Sequence, residues 1–104
     1  MEISIQAIHF EASEKLETFI HKKVKRLEKF SESILSADVT LKVVKPETNS
    51  NKEAAIKIFA RGKDFFAEEI ADSFEGAVDK CVEKLERQVV KSKEKTLGSK
   101  KKTI

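Results

Sequence analysis

A chain of 104 residues has room for one small domain with a single hydrophobic core. Hydrophobic residues make up 39% of the chain and charged residues 38%, which predicts a folded domain with a heavily charged surface. The net charge is only +3, but residues 80–104 contain nine Lys or Arg against three Asp or Glu, and residues 1–79 contain twelve against fifteen. A basic C-terminal region favours an anionic partner, such as nucleic acid, over a small acidic ligand.

The sequence does not support secretion or insertion into a membrane. The single cysteine, Cys81, cannot form an intrachain disulfide, which fits a reducing compartment. The N-terminus lacks the apolar segment of a secretion signal, and no apolar run approaches the roughly 20 residues of a membrane span. We therefore expect a cytoplasmic protein with no membrane partner.

Residues that could support catalysis or bind a metal are scarce. His9 and His21 are the only side chains that could act as bases at neutral pH, and neither belongs to a triad-like arrangement. Cys81 falls on the apolar side of a predicted helix, where an inert thiol is favoured over a nucleophile. One cysteine and two separated histidines are too few for a zinc site, and the three glycines are isolated. We expect neither an enzyme nor a bound cofactor or metal.

The N-terminal half predicts a strand, a helix and a second strand. Residues 2–8 alternate apolar and polar side chains, as in a half-buried strand. Ser13 is a favourable N-cap for a helix whose apolar side ends at Phe30. A polar connection follows over residues 31–36, and the alternation over residues 38–45 predicts the second strand.

The C-terminal half predicts two further strands and a long helix. Residues 46–52 have the composition of a loop, and residues 53–60 and 65–71 predict strands joined by a tight turn. Asp72, with Glu75 three residues later, is the expected N-cap of a helix that ends at Lys95, and Ser73 is the alternative cap.

The resulting element order, β-α-β-β-β-α, indicates an α+β fold. Each helix has one apolar side and the strands mostly have one apolar face, so we expect both helices to pack on one face of a four-stranded mixed sheet. This arrangement is like that of double-stranded-RNA-binding domains. Residues 1–96 are predicted to form the single domain, and residues 97–104 a disordered basic tail.

Both predicted helices sort their charges by side. At about 100° per residue, cations in the last helix form a stripe next to its apolar side. The stripe consists of Lys80, Lys84, Arg87 and Lys91. The acids Asp79, Glu83 and Glu86 fall on the opposite flank, and the first helix repeats the pattern. Such sorting favours a surface for an anionic partner over a merely solvated helix face.

The phenylalanines do not predict a stacking surface for single-stranded nucleic acid. Core packing is favoured over base stacking for Phe59, Phe65 and Phe66, although the adjacent positions of the last two leave the facing of their strand ambiguous.

Three segments carry a resemblance to a known family. The last helix follows the pattern K-L-x-R-Q-x-x-K-x-x-x-K, here Lys84, Leu85, Arg87, Gln88, Lys91 and Lys95. Residues 26–30 and 41–45 resemble the end of the first helix and the second strand of the same family. The chain thereby resembles the ribosome hibernation-promoting factor and ribosome-associated inhibitor A family, also known as sigma-54 modulation proteins, over residues 1–96 and in its short form.

This resemblance implies a protein that binds the small ribosomal subunit and its rRNA near the decoding centre. There it would compete with tRNA and mRNA and reversibly inhibit translation under stress or in stationary phase. The isolated protein is expected to be monomeric. The expected contacts to rRNA phosphates are Lys84, Arg87, Lys91 and Lys95, with Arg26, Lys29, Lys42 and Lys45 as weaker candidates.

Two other functions stay open from the sequence. One is general binding of double-stranded RNA by a protein of similar fold. The other is modulation of transcription through protein contacts, of the sigma-54 type.

Overall fold

A computed structural model describes the backbone of residues 1–44 and 50–102, and the side chains of residues 1–44 and 50–92. Its elements are β1 (Glu2–Ala7), α1 (Glu14–Lys25), a short 3₁₀ helix (Arg26–Phe30), β2 (Ile34–Val43), β3 (Lys52–Ala60), β4 (Lys63–Ala71) and α2 (Phe74–Lys102). The predicted order of strands and helices is confirmed.

The four strands form one mixed sheet in the order β1-β2-β3-β4. Strands β1 and β2 are parallel, and α1 makes the crossover that a parallel pair requires. Strands β2, β3 and β4 pair antiparallel. The predicted α+β fold, with both helices on one face of a mixed sheet, is therefore confirmed.

The core lies between the sheet and the two helices. Helix α2 packs mainly on β3 and β4, and α1 packs beside it. The largest fully buried side chains come from every layer: Ile20, Val24, Leu27, Val39, Leu41, Ile56, Ile58, Val78, Cys81, Leu85 and Val89. Burial of each large aliphatic side chain contributes about 1.5–3 kcal/mol, so this layer carries most of the stability.

Strand β2 begins at Ile34, earlier than the predicted residue 38. Ile34 is buried opposite Ala60, but the register shifts between Ile34 and Ser36. This irregularity breaks the alternation of apolar and polar residues, because it places an extra residue in one strand. The expected polar connection over residues 31–36 is therefore partly strand, and the alternation showed only the later part of β2.

The facing of β4 is now resolved. Phe65 is buried in the core, whereas Phe66 points to the other face and is 52% exposed. The turn before β4 is shorter than predicted, because Lys63 is already in the strand. Gly62 has a φ of 79°, a left-handed conformation that glycine adopts without steric strain and that a tight hairpin needs.

The N-caps of the two helices differ in how well they were predicted. Ser13 caps α1, since its hydroxyl accepts a hydrogen bond from the Leu16 amide at 3.1 Å. For α2 the expected cap Asp72 is wrong and Ser73 is the cap. The Ser73 hydroxyl accepts from the Gly76 amide at 3.0 Å, while Asp72 accepts from the Ser50 hydroxyl at 2.7 Å.

Helix α2 continues to Lys102, whereas the sequence predicted that it ends at Lys95. The apolar periodicity marks only the part of the helix that packs against the sheet, and it stops near Lys95. The helix continues beyond that point because lysine and glutamate have good helix propensity without such packing. The domain limits of 1–96 and the basic tail of 97–104 stay predictions.

Replacing the α2 cap tests this assignment. Ser73→Ala should lower the free energy of unfolding by about 1 kcal/mol, because it leaves the Gly76 amide without its acceptor. Asp72→Ala, the matched control, removes only an exposed hydrogen bond and should cost less. Urea denaturation of both variants measures the difference. A larger loss in Asp72→Ala would contradict the cap assignment.

Candidate nucleic-acid interface

Two ion pairs show which way the charged sides of α2 face. Lys23 of α1 pairs with Asp79 of α2 at 3.2 Å, so this part of the acidic flank faces α1. Lys84 pairs with Glu69 of β4. The basic stripe of α2 therefore lies on the side away from α1, along strand β4 at the edge of the sheet.

The two central cations of the stripe already have carboxylate partners. Lys84 contacts Glu69, and Arg87 contacts Glu83 one turn away at 3.8 Å. The predicted separation of Glu83 from the stripe is thus incomplete. Both cations remain accessible, because Lys84 is 55% and Arg87 79% exposed. The Arg87–Glu83 pair is exposed on both sides and contributes only about 0.2–1 kcal/mol, so a phosphate group can replace its carboxylate. Glu69 is 20% exposed, so Lys84 is held more firmly than Arg87.

Lys91 lies further along the stripe and has no ion pair with a described carboxylate. It lines a cavity of about 220 Å³ between α2 and the start of β4. Lys63, Asp64 and Gln88 line the same cavity. A cavity with the ammonium groups of two lysines in its lining suits an anionic oxygen group.

A second cavity of about 120 Å³ shares Lys63 with the first and is also lined by Arg61, Ser31 and Ser33. Arg61, Lys63 and Lys91, here called the turn cluster, thus surround two neighbouring cavities at one end of the sheet. None of the three forms an ion pair with another described residue. Sequence reasoning missed Arg61 and Lys63, because they lie in and beside a hairpin turn far in sequence from Lys91.

The weaker candidates are distributed over other parts of the molecule. Arg26 and Lys29 are exposed in the 3₁₀ helix, on the helical side of the sheet. Lys42 is not brought together with the stripe, because it lies on the opposite face of the sheet and pairs with Glu53 at 3.1 Å. Lys45 lies outside the described residues, as does the side chain of Lys95.

The one cysteine has no features of a nucleophile. Cys81 is buried between α2 and the sheet, and its thiol donates a hydrogen bond to the Ala54 carbonyl at 3.2 Å. Burial, followed by the negative charge of Glu69, raises the pKa of this thiol from 9.0 to about 12. The thiol therefore stays protonated and unreactive at neutral pH.

Two further observations describe the character of the molecule. Among the described residues, no group of three or more His, Cys, Asp or Glu is placed to bind a metal ion. In the same part of the chain, no helix combines the length and apolar character needed to cross a membrane.

Comparison with known proteins decides the family. Residues 3–97 match the family described as Sigma 54 modulation protein / S30EA ribosomal protein. The chain belongs to this family. Membership confirms the resemblance seen in the last helix, and it also confirms that the chain is not an enzyme, because proteins of the S30EA family are non-enzymatic binding proteins.

Two solved structures share the fold of this S30EA family member. The N-terminal domain of Protein Y from Thermus thermophilus is 25% identical, with a TM-score of 0.76, and the match covers 88% of this chain and 98% of that one. A ribosomal subunit interface protein from Coxiella burnetii is 21% identical, with a TM-score of 0.79 and coverage of 90% and 99%. The second likeness shows the fold alone. No curated protein sequence matches the chain.

The burial of Cys81 predicts that its thiol reacts with alkylating reagents only after the protein unfolds. Iodoacetamide near pH 8 should leave the native protein almost unlabelled and label it fully in urea, because unfolding exposes the thiol and restores its ordinary pKa of 9.0. Because the native pKa is raised, this group's contribution to stability is complete below the ordinary thiol pKa of 9.0 and is lost as the pH rises from there through about 12. Mass spectrometry measures the labelling, and equal rates in buffer and in urea would contradict a buried thiol.

Proposed function

We propose that this protein is a cytoplasmic ribosome hibernation factor. It binds the small ribosomal subunit near the decoding centre, excludes tRNA and mRNA, and reversibly inhibits translation under stress or in stationary phase. Membership of the S30EA family supports a ribosomal partner. The observation that carries the proposal is the exposed basic stripe of α2, which the turn cluster extends to the end of the sheet.

The geometry suits the backbone of folded RNA better than individual bases. The stripe from Lys80 to Lys91 covers roughly 16 Å at 1.5 Å per residue, so it can contact several phosphates in succession. Lysine and arginine at such spacing position a protein on RNA without reading sequence. Release of counterions from the neutralised phosphates supplies most of the binding free energy and makes it sensitive to salt.

The partial pairing of the stripe affects the strength of binding. Lys84 must exchange Glu69 for a phosphate, and Arg87 must exchange Glu83. Lys91 and Lys63 have no such competitor among the described ion pairs. We therefore assign the turn cluster a larger share of the phosphate contacts than Lys42, whose ammonium neutralises the nearly buried Glu53.

Inhibition in this proposal requires occupancy and no chemical step. A rigid domain that fills the tRNA and mRNA sites blocks them for as long as it stays bound, and it leaves when conditions weaken the electrostatic contacts. The inert thiol of Cys81 is consistent with such a mechanism.

Charge reversal in the turn cluster tests the proposal. Lys63→Glu combined with Lys91→Glu should weaken binding to purified small subunits about tenfold or more, since two phosphate contacts become repulsive. The double variant should also lose the ability to exclude tRNA. Co-sedimentation at several salt concentrations measures both affinity and the salt slope, which should become shallower.

The control is Lys57→Glu, which reverses one exposed charge on the sheet face that points away from the helices. It should bind as the unmodified protein does, and circular dichroism should show that all variants are folded. Equal loss of binding in Lys57→Glu would contradict the placement of the interface on the helical side. An unmodified protein that does not bind small subunits would contradict the proposed function itself.

A further inference from the structure

The sheet face that points away from the helices, here called the outer face, has the opposite charge from the helical side. The strand register places five carboxylates on it, those of Glu2, Asp38, Glu53, Asp64 and Glu68. Among the described strand residues, two ammonium groups accompany them, those of Lys42 and Lys57. The chain as a whole carries +3, so the outer face is acidic on a basic protein.

Most of this negative charge is not neutralised within the molecule. Lys42 pairs with Glu53 at 3.1 Å, whereas Asp38 and Glu68 have no ion pair with a described cation. The ammonium group of Lys57 lies over the ring of Phe59 at 5.1 Å from its centroid. The outer face therefore attracts cations and repels a polyanion such as RNA.

Large apolar side chains lie among these carboxylates. Phe66 and Ile70 are 52% and 43% exposed on β4, with Glu68 between them on the same face. Phe66 lies opposite Lys57 in the register, and Phe59 comes from the neighbouring strand. Exposed aromatic and aliphatic side chains grouped within a polar surround mark interaction surfaces on soluble proteins.

We propose that the outer face binds an extended, arginine- or lysine-rich protein segment that also carries apolar side chains. Its cations pair with Asp38 and Glu68, and its apolar groups contact Phe66 and Ile70. Arginine suits this surface best, because its guanidinium group both pairs with a carboxylate and stacks on an aromatic ring. The helical side and the outer face then serve two partners of opposite charge.

The segment binds across the face of the sheet and not along its edge. Gln88 of α2 donates a hydrogen bond to the Phe66 carbonyl at 2.9 Å, so an acceptor at the edge of β4 is already used. The Lys84–Glu69 ion pair lies beside the same strand. Both contacts hinder the addition of another strand to β4, which would need a free row of backbone groups.

The charge of the outer face also argues against two other binding partners, a second copy of the chain and single-stranded RNA. A second copy placed face to face would bring acidic surfaces together in a symmetric contact, which is unfavourable. Single-stranded RNA could stack bases on Phe66 and Phe59, but the surrounding carboxylates would repel its phosphates.

The test uses the full chain, labelled with ¹⁵N, and a short synthetic peptide that alternates arginine with leucine. We expect the peptide to shift the amide signals of Lys57, Phe66 and Glu68 and to leave those of α2 unchanged. Glu68→Lys and Phe66→Thr should each lower the affinity for the peptide at least about fivefold. Glu11→Lys is the matched control, since it reverses an exposed charge beside α1, and it should bind the peptide with unchanged affinity.

Other outcomes would overturn the proposal. These are peptide shifts confined to the helices, equal weakening in Glu11→Lys, or stronger shifts at Phe66 with polyuridine RNA than with the peptide. A dimer that forms with rising concentration and disappears in Phe66→Thr would assign the outer face to a second copy. The Phe66→Thr and Glu68→Lys variants change exposed side chains, and their thermal unfolding shows whether the fold is retained.

Discussion

The packing of α2 across β3 and β4 determines where every charge on that helix lies. Val78, Cys81 and Leu85 are fully buried against the sheet, which fixes the rotation of the helix about its axis. With this rotation, Asp79 reaches Lys23 on α1 and Lys84 reaches Glu69 on β4. A rotation by one residue, about 100°, would bury polar groups and expose apolar ones. The packing of the core therefore fixes the side of α2 on which each charged residue lies.

The consequence is a molecule with two electrostatically different sides. The helical side presents the stripe and the turn cluster, and the outer face of the sheet presents carboxylates around Phe66 and Ile70. The small net charge of +3 conceals this separation. A protein that acts by occupying a site needs a surface of this kind and a stable core, and it needs no reactive group.

Sequence periodicity predicted the features that depend on local patterns. The strands, the mixed sheet and the Ser13 cap follow from alternation, helical spacing and capping preference. The start of β2 was missed because the irregularity between Ile34 and Ser36 interrupts the alternation. Ser73 replaced Asp72 as the α2 cap because Asp72 has a distant partner, Ser50, that local preference does not include.

The candidate site was predicted only in part, for a related physical reason. A helical wheel shows how the residues of one helix are arranged, so it found the stripe but not the partner that β4 supplies to Lys84. It also could not show that Arg61 and Lys63 lie beside Lys91, since folding brings the hairpin turn and the helix together. The exposure of Phe66 likewise depended on the facing of β4, which two adjacent phenylalanines left open.

In the proposed complex the helical side, and not the outer face, meets rRNA. The most direct measurement attaches an iron chelate to a cysteine introduced at an exposed position and maps cleavage of rRNA in small subunits. Glu83→Cys places the probe beside the stripe, Lys57→Cys places it on the outer face, and the buried native thiol should not react. We expect strong cleavage near the decoding centre from position 83 and weak cleavage from position 57. The reverse pattern would contradict it.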